Sequence, residues 1–184
     1  MQAITEAMRS ILKDHPGVSL CGGEVHPITR SDNGTPRRLP AYFNKASGTY
    51  DLLIPSSDQS AVVFLRTLSV SALQGVRAGL GNVVNIRVVL WANSERLTAA
   101  AEHLAQGLFS MCKVKLTGEG ISRASVRPLN VLTAAEARGE WSGFDFEETE
   151  TQFLMQPFFV GGFDVEATVV LANCTPGPQR AVKC

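Results

Sequence analysis

The chain lacks a surplus of charge of either sign, a close pair of cysteines and any long apolar run. Seventeen Lys and Arg stand against 17 Asp and Glu among 184 residues. No global field therefore draws the chain to nucleic acid or to an anionic bilayer. Sequence-specific reading of nucleic acid is not expected, and only a local basic patch stays open. Cys21, Cys112, Cys174 and Cys184 are scattered, with no C-x-x-C pair and no histidine at zinc-finger spacing. They read as reduced thiols of a cytosolic protein. No stretch approaches ~18 uninterrupted apolar residues, and Met1 to Glu6 lacks a basic segment leading into an apolar core. Neither a membrane span nor a signal peptide is expected.

What the chain does have is enough apolar content, 45% against 18% charged, to build one globular domain with a sizeable core. Residues 1–172 are expected to form a single α+β domain. Residues 173–184, with Pro176-Gly177-Pro178, read as a flexible C-terminal tail. Ile4, Ala7, Met8, Ile11 and Leu12 recur at helical spacing and predict a short N-terminal helix ending before Pro16-Gly17. Val18 to Pro40 is rich in Gly, Pro, Ser and Asn. It reads as a mobile basic loop carrying Arg30, Arg37 and Arg38, with at most a short strand near Val25.

From Ala41 the period becomes two. Tyr42 to Lys45 and Tyr50 to Ile54 bracket Ser47-Gly48 as a hairpin. Ala61 to Val70 predicts a strand with Val62, Phe64, Leu68 and Val70 on one face and Val63, Leu65, Thr67 and Ser69 on the other. Asn82 to Trp91 predicts a central strand whose core face is Val84, Ile86, Val88 and Leu90. Between them, Gln74 to Gly81 resembles a phosphate loop only superficially. No Lys-Ser/Thr follows its glycines, and it reads as a flexible connection.

After N-cap candidates at Asn93 and Ser94, the residues Leu97, Ala101, Leu104, Ala105, Leu108, Met111 and Cys112 trace the main amphipathic helix, expected to lie across the sheet. Val114 and Leu116 suggest a strand end, and Ser125 to Leu132 a short strand. Thr133 to Glu136 forms a capping box opening a helical turn or two. Phe153 to Val160 and Phe163 to Leu171 are expected to pair as a terminal hairpin through a two-residue turn at Gly161-Gly162. The fold class is thus α/β of the α+β kind, with a mostly antiparallel sheet, one main helix packed across it and a short N-terminal helix.

No catalytic, cofactor or metal motif emerges. Cys112 and His103 lie on one helix, half a turn out of phase at ~3.6 residues per turn, and cannot meet there. The three histidines occupy a helix exit, a loop and a helix face, so a metal site would require long-range convergence. Asp145, Glu147, Glu148 and Glu150 lack the spacing of an EF-hand loop and read as a solvated or partner-facing strip. Phe144 and Phe146 interleave with them as anchors of a core or of an interface, and Trp141 is placed to pin the loop to the sheet. Arg30, Arg37 and Arg38 oppose this acidic strip in sign. The two can pair within one fold or between neighbouring copies, and complementary patches on one subunit are what a heterologous ring requires. Together with the Gly-rich connection they are the candidate interface residues.

In element order and hydrophobic pattern the chain resembles the tail terminator, or tail-completion, proteins of long-tailed bacteriophages and related contractile injection systems. The resemblance rests on the helix Ile4 to Lys13, on the passage Asn85-Ile86-Arg87-Val88-Val89-Leu90-Trp91-Ala92-Asn93-Ser94-Glu95-Arg96-Leu97 with its helix to Cys112, and on Phe158 to Leu171. It implies a curved sheet and a hexameric ring on the head-proximal end of the tail tube. The implied partners are the tail tube protein and neck or head-completion proteins, and the implied place is the virion tail, assembled in the host cytoplasm. Enzymatic activity and a cofactor are not implied. Val18 to Pro40 and Lys113 to Glu150 are long for a minimal member, which keeps other neck or baseplate ring proteins open. The competing class is a small enzyme or ligand-binding domain with a pocket between the helix Leu97 to Cys112 and the sheet.

Overall fold

A computed structural model describes residues 2–32, 34–74, 81–97, 100–118, 121–155 and 158–171. The elements run α1 (Gln2–Leu12), β1 (Leu20–Asp32), β2 (Thr35–Asn44), β3 (Thr49–Leu52), β4 (Ala61–Ala72), β5 (Gly81–Ala92), α2 (Ala101–Met111), β6 (Val114–Gly118), β7 (Ile121–Val131), α3 (Ala134–Gly139), α4 (Glu148–Thr151), a 3-10 turn Gln152–Leu154 and β8 (Phe159–Leu171). One sheet in the order β3-β2-β1-β4-β5-β8-β7-β6 joins all the strands. Every pairing is antiparallel except β1 with β4. The α/β class and the mostly antiparallel sheet are as expected from the alternation. The tail at 173–184 and most of the Gly-rich connection, residues 75–80, lie outside the described residues.

Two expectations fail, both on glycine and proline. Val18 to Pro40 is not a loop. Its residues build β1 and the first half of β2, paired in eight rows from Val25↔Tyr42 to Asp32↔Thr35, with Gly34 at φ +82° in the turn. The prolines are tolerated because of where they sit. The carbonyl of Pro40 accepts from Leu53 N–H, and Arg38 exchanges hydrogen bonds with Asp145, so the backbone at 38 and 40 points away from β1. By alternation Pro36 and the cross-strand partners Pro27 and Ser31 also sit where no N–H is owed to the β1–β2 ladder.

The second failure is the terminal hairpin. Gly161 and Gly162 do not turn. They lie inside the continuous strand β8, opposite Leu90 and Val89 of β5. A Cβ at Gly162 would stand 2.4 Å from the Val88 carbonyl oxygen. The glycine is therefore there for close backbone approach, which a sequence reader cannot tell from a turn.

Smaller differences follow the same logic. The main helix begins at Ala101 rather than after Ser94, and its N-cap, Ala100, makes no side-chain cap. A bulge between Thr67 and Ser69 shifts the phase of β4, so Val70 pairs with Val84 and joins the opposite face from Val62 and Phe64. The capping box at Thr133 and Glu136 forms as read.

The two faces of the sheet carry separate cores. On one, Ile4, Met8 and Leu12 of α1 and Leu104, Leu108 and Cys112 of α2 are buried with Val84, Ile86, Val88, Leu90, Phe163 and Val165. On the other, residues 132–155 form a strap whose Leu132, Ala137 and Trp141 are buried with Val62, Phe64, Val89 and Trp91.

Candidate functional site

The strap meets the β1–β2 hairpin where sequence reasoning placed opposite charges. Arg37 projects from β2 close to the hairpin tip, with only 12% of its side chain exposed. Its Nε and Nη2 donate to the Asp145 carbonyl at 3.1 and 3.0 Å, and its Nη1 donates to Glu147 Oε1 at 2.8 Å. Its Nη2 also pairs with Glu150. One guanidinium thus ties together three residues of the strip, since its donors are fixed in a planar fork. Glu147 and Glu150 are pre-arranged for this by a capping box of their own at the start of α4, where Glu147 N–H donates to Glu150 at 2.7 Å.

Asp145 completes the junction by closing the open edge of β2. Its N–H donates to the Arg38 carbonyl, and Arg38 N–H donates to Asp145 Oδ2, both at 2.8 Å. Pairing within one chain, one of the two arrangements open to these charges, is thereby present. Arg30 does not join it and instead donates to the Tyr50 carbonyl at 3.2 Å. The Arg38 side chain lines a hollow of about 310 Å³ with Arg66, Glu140, Ser142 and Phe144. Glu148 opens α4.

The aromatics of the strip anchor inward in sequence. Phe144 and Phe146 are 6.4 Å apart, Phe146 and Trp141 6.0 Å, and Trp141 meets Phe64 edge-on at 5.0 Å. Trp141 is fully buried and does pin the strap to the sheet, contributing ~0.5–1.5 kcal/mol from the ring pair beyond its burial. Further along, Trp91 stacks on Phe158 and donates its indole N–H to the Phe153 carbonyl.

A second polar centre was missed. Arg87 of β5 makes a bidentate pair with Asp164 of β8, at 2.8 and 3.0 Å, and donates to Glu140 Oε1 at 2.8 Å. Arg66 binds the other Glu140 oxygen, and Asn130 Nδ2 donates to Asp164 at 3.3 Å. Its hydrogen bonds to the Asp164 carboxylate are the main cause raising the Arg87 pKa, so the guanidinium is permanently charged. The signal was the polar face of β5. Arg87 and Asp164 occupy directly opposite positions on adjacent strands, but their pairing needs a register that only the fold supplies.

Two hollows flank α2. One of about 420 Å³ brings His15 and His103 together with Arg96, a convergence the separate sequence contexts gave no sign of. His15 Nδ1 accepts from Gly17 N–H at 3.1 Å. The other, of about 630 Å³, lies between α2 and the β7–β8 pair and is lined by Phe109, Phe159, Phe163 and Leu132 with Glu102 and Lys113. Burial pushes the thiols of Cys21 and Cys112 up to about 12, so neither is a ready nucleophile. Among the described residues no group of three or more His, Cys, Asp or Glu could hold a metal ion, and no helix is long and apolar enough to cross a membrane. Comparison of the chain with protein-family models, with curated proteins and with solved structures gives no match.

Proposed function

We propose that the chain is a structural subunit that works by fitting against other subunits, as a ring-forming terminator at the head-proximal end of a phage or phage-like tail tube. The observation that carries this reading is the braced β1–β2 hairpin. Eight paired rows make an arm about 25 Å long at ~3.4 Å per residue. The strap clasps it near its tip through Arg37, Arg38 and Asp145. A stiff arm with an exposed polar end is a device for reaching a neighbour without a large ordering cost on binding. Arg30, Arg38 and the acidic strip around Glu147 sit on it or against it, within reach of adjacent copies, the tail tube protein or a neck protein. In this reading the protein is not an enzyme, takes no cofactor and belongs to the virion tail.

The test is native mass by light scattering, alone and with tail tube protein from the same source. A ring-sized species that caps tubes and limits their length is expected. Arg30→Glu with Arg38→Glu is expected to weaken assembly while the circular dichroism spectrum is unchanged. A monomer indifferent to tube protein would sink the proposal. One observation favours a second reading, a ligand-binding domain: the apolar hollow of about 630 Å³ between α2 and the sheet. A ligand screen that raises the melting temperature only when Phe109 is intact would favour it.

A further inference from the structure

The hollow beside the start of α2 collects basic side chains from three separate parts of the chain. His15 comes from the turn after α1, Arg96 from the turn after β5, and His103 from the first turn of α2. Pro16, Leu97 and Leu104 supply apolar walls to a space of about 420 Å³. Among the described residues that line it, none is acidic. Asp58 approaches Arg96 Nη2 at 3.8 Å, but with its side chain 91% exposed it offsets the guanidinium charge only weakly.

These groups are held in place with donors to spare. Gly17 N–H donates to His15 Nδ1 at 3.1 Å, which makes Nδ1 the acceptor and puts the proton of the neutral ring on Nε2. Ser60 Oγ donates to the Gly17 carbonyl at 3.0 Å and so fastens this turn to the start of β4. No group among the described residues accepts from His15 Nε2. A Cβ at Gly107 would stand 3.0 Å from that nitrogen, so the missing side chain leaves it room against α2. His103 lies on the same side of the helix one turn earlier, because residues four apart share a face. Its imidazole has no hydrogen-bond partner among the described residues. Arg96 is fixed through Nε, which donates to the Ser57 carbonyl, and its Nη1 has no partner among the described residues.

We propose that this hollow binds a small phosphate monoester, with the phosphoryl group against His15 Nε2, His103 and Arg96 and the organic body on Pro16, Leu97 and Leu104. Three basic side chains around one space with no carboxylate in its lining call for an anion. The way the donors arrive selects a phosphoryl group over a carboxylate. A guanidinium grips a planar carboxylate side-on through Nε and one Nη, and Ser57 already occupies Arg96 Nε. What remains are single donors from three directions, which suit the spread oxygens of a tetrahedral group. A space of about 420 Å³ is at the lower end of the ~300–1,000 Å³ of small-molecule sites, so the organic body is small. The inference goes beyond the ring reading and does not depend on it.

Imidazole nitrogen NMR of the full chain near neutral pH, titrated with phenyl phosphate, tests it, because the three histidines include their own control. His26 lies on β1, outside the lining of the hollow. Phenyl phosphate should shift His15 and His103 along one saturation curve and leave His26 still. Inorganic phosphate, which leaves the apolar walls uncovered, and benzoate, which lacks the tetrahedral head, should each bind about tenfold more weakly. Arg96→Gln, at an exposed position in a turn, should weaken phenyl phosphate about tenfold with the circular dichroism spectrum unchanged. Absence of saturation at His15 and His103, or an equal shift at His26, overturns the site. Benzoate binding as tightly as phenyl phosphate overturns the phosphoryl assignment, and inorganic phosphate doing so overturns the organic body. Unchanged affinity in Arg96→Gln overturns the part given to the guanidinium; if that variant does not fold, the wild-type titrations decide alone. None of these readouts is a native mass, so failure of the site leaves the ring reading where it stands.

Discussion

The two faces of this sheet are covered by different means. On one, aliphatic residues of α1 and α2 share a single buried cluster with Val84, Ile86, Val88 and Leu90. On the other, a strap of short helices and turns is fastened at separate points: Trp141 on Phe64, Trp91 on Phe153 and Phe158, Glu140 on Arg87, and Arg37 on Asp145, Glu147 and Glu150. The first cover spreads its stabilisation over many similar contacts. The second concentrates it in a few large rings and ion pairs, so single substitutions there should do more damage.

Trp141→Ala breaks the comparison most directly. It empties a fully buried site beneath the strap and is expected to cost about 4 kcal/mol, against about 3 kcal/mol for Leu108→Ala on the helix face, read from urea denaturation midpoints. Equal losses would mean that the strap face is no more concentrated than the other. Asp164→Ala comes next. It leaves the Arg87 guanidinium, with a fifth of its side chain exposed, short of its bidentate partner and should cost about 3 kcal/mol. If Arg87→Met combined with Asp164→Ala were as damaging as the sum of the single changes, the pair would not be acting as a unit.

The helix face has its own signature in pH. Burial raises Cys21 and Cys112 from 9.0 to about 12, so the folded state holds the neutral thiols more firmly than the unfolded state does. Their contribution is complete below pH 9 and is lost as pH rises from there towards 12, by about 1.4 kcal/mol per pH unit for each thiol. Denaturation midpoints between pH 8 and 11 should fall accordingly, and less steeply in Cys112→Ala; an unchanged slope would remove the thiols from the account. The smallest effect is at the clasp. Arg37→Ala should cost about 1 kcal/mol overall, because Glu147 is half exposed and screened by water. Its readout is local: limited proteolysis should cut residues 142–151 faster while the sheet stays intact. Unchanged cleavage would show that the aromatics alone hold the strap.

Both helices of the first face were legible because their apolar residues repeat at the helical period, and each residue reports on its neighbours. β4 and β5 were legible for the same reason at a period of two. The strap was legible only at its anchors. Trp141, Phe144 and Phe146 stood out as large rings in a polar stretch, and the acidic strip stood out by charge. That the strip meets Arg37, more than a hundred positions earlier, was one of two arrangements the sequence allowed. The Arg87 and Asp164 pair showed in the sequence only as polar residues on strand faces, and the shared hollow of His15 and His103 gave no local signal at all.

By itself the sequence determined the class of fold, the two faces of β5, the capping box at Thr133 and the burial of Cys112, since these follow from periodicity and local hydrogen bonding. Only the tertiary structure decided whether a glycine or proline ends a strand or sits inside one. Gly162 is required by the Val88 carbonyl facing it, and Pro27, Pro36 and Pro40 are permitted because their backbone positions owe no hydrogen bond to the neighbouring strand. Both conditions depend on which strand lies alongside, and a residue's own neighbours in sequence do not carry that information.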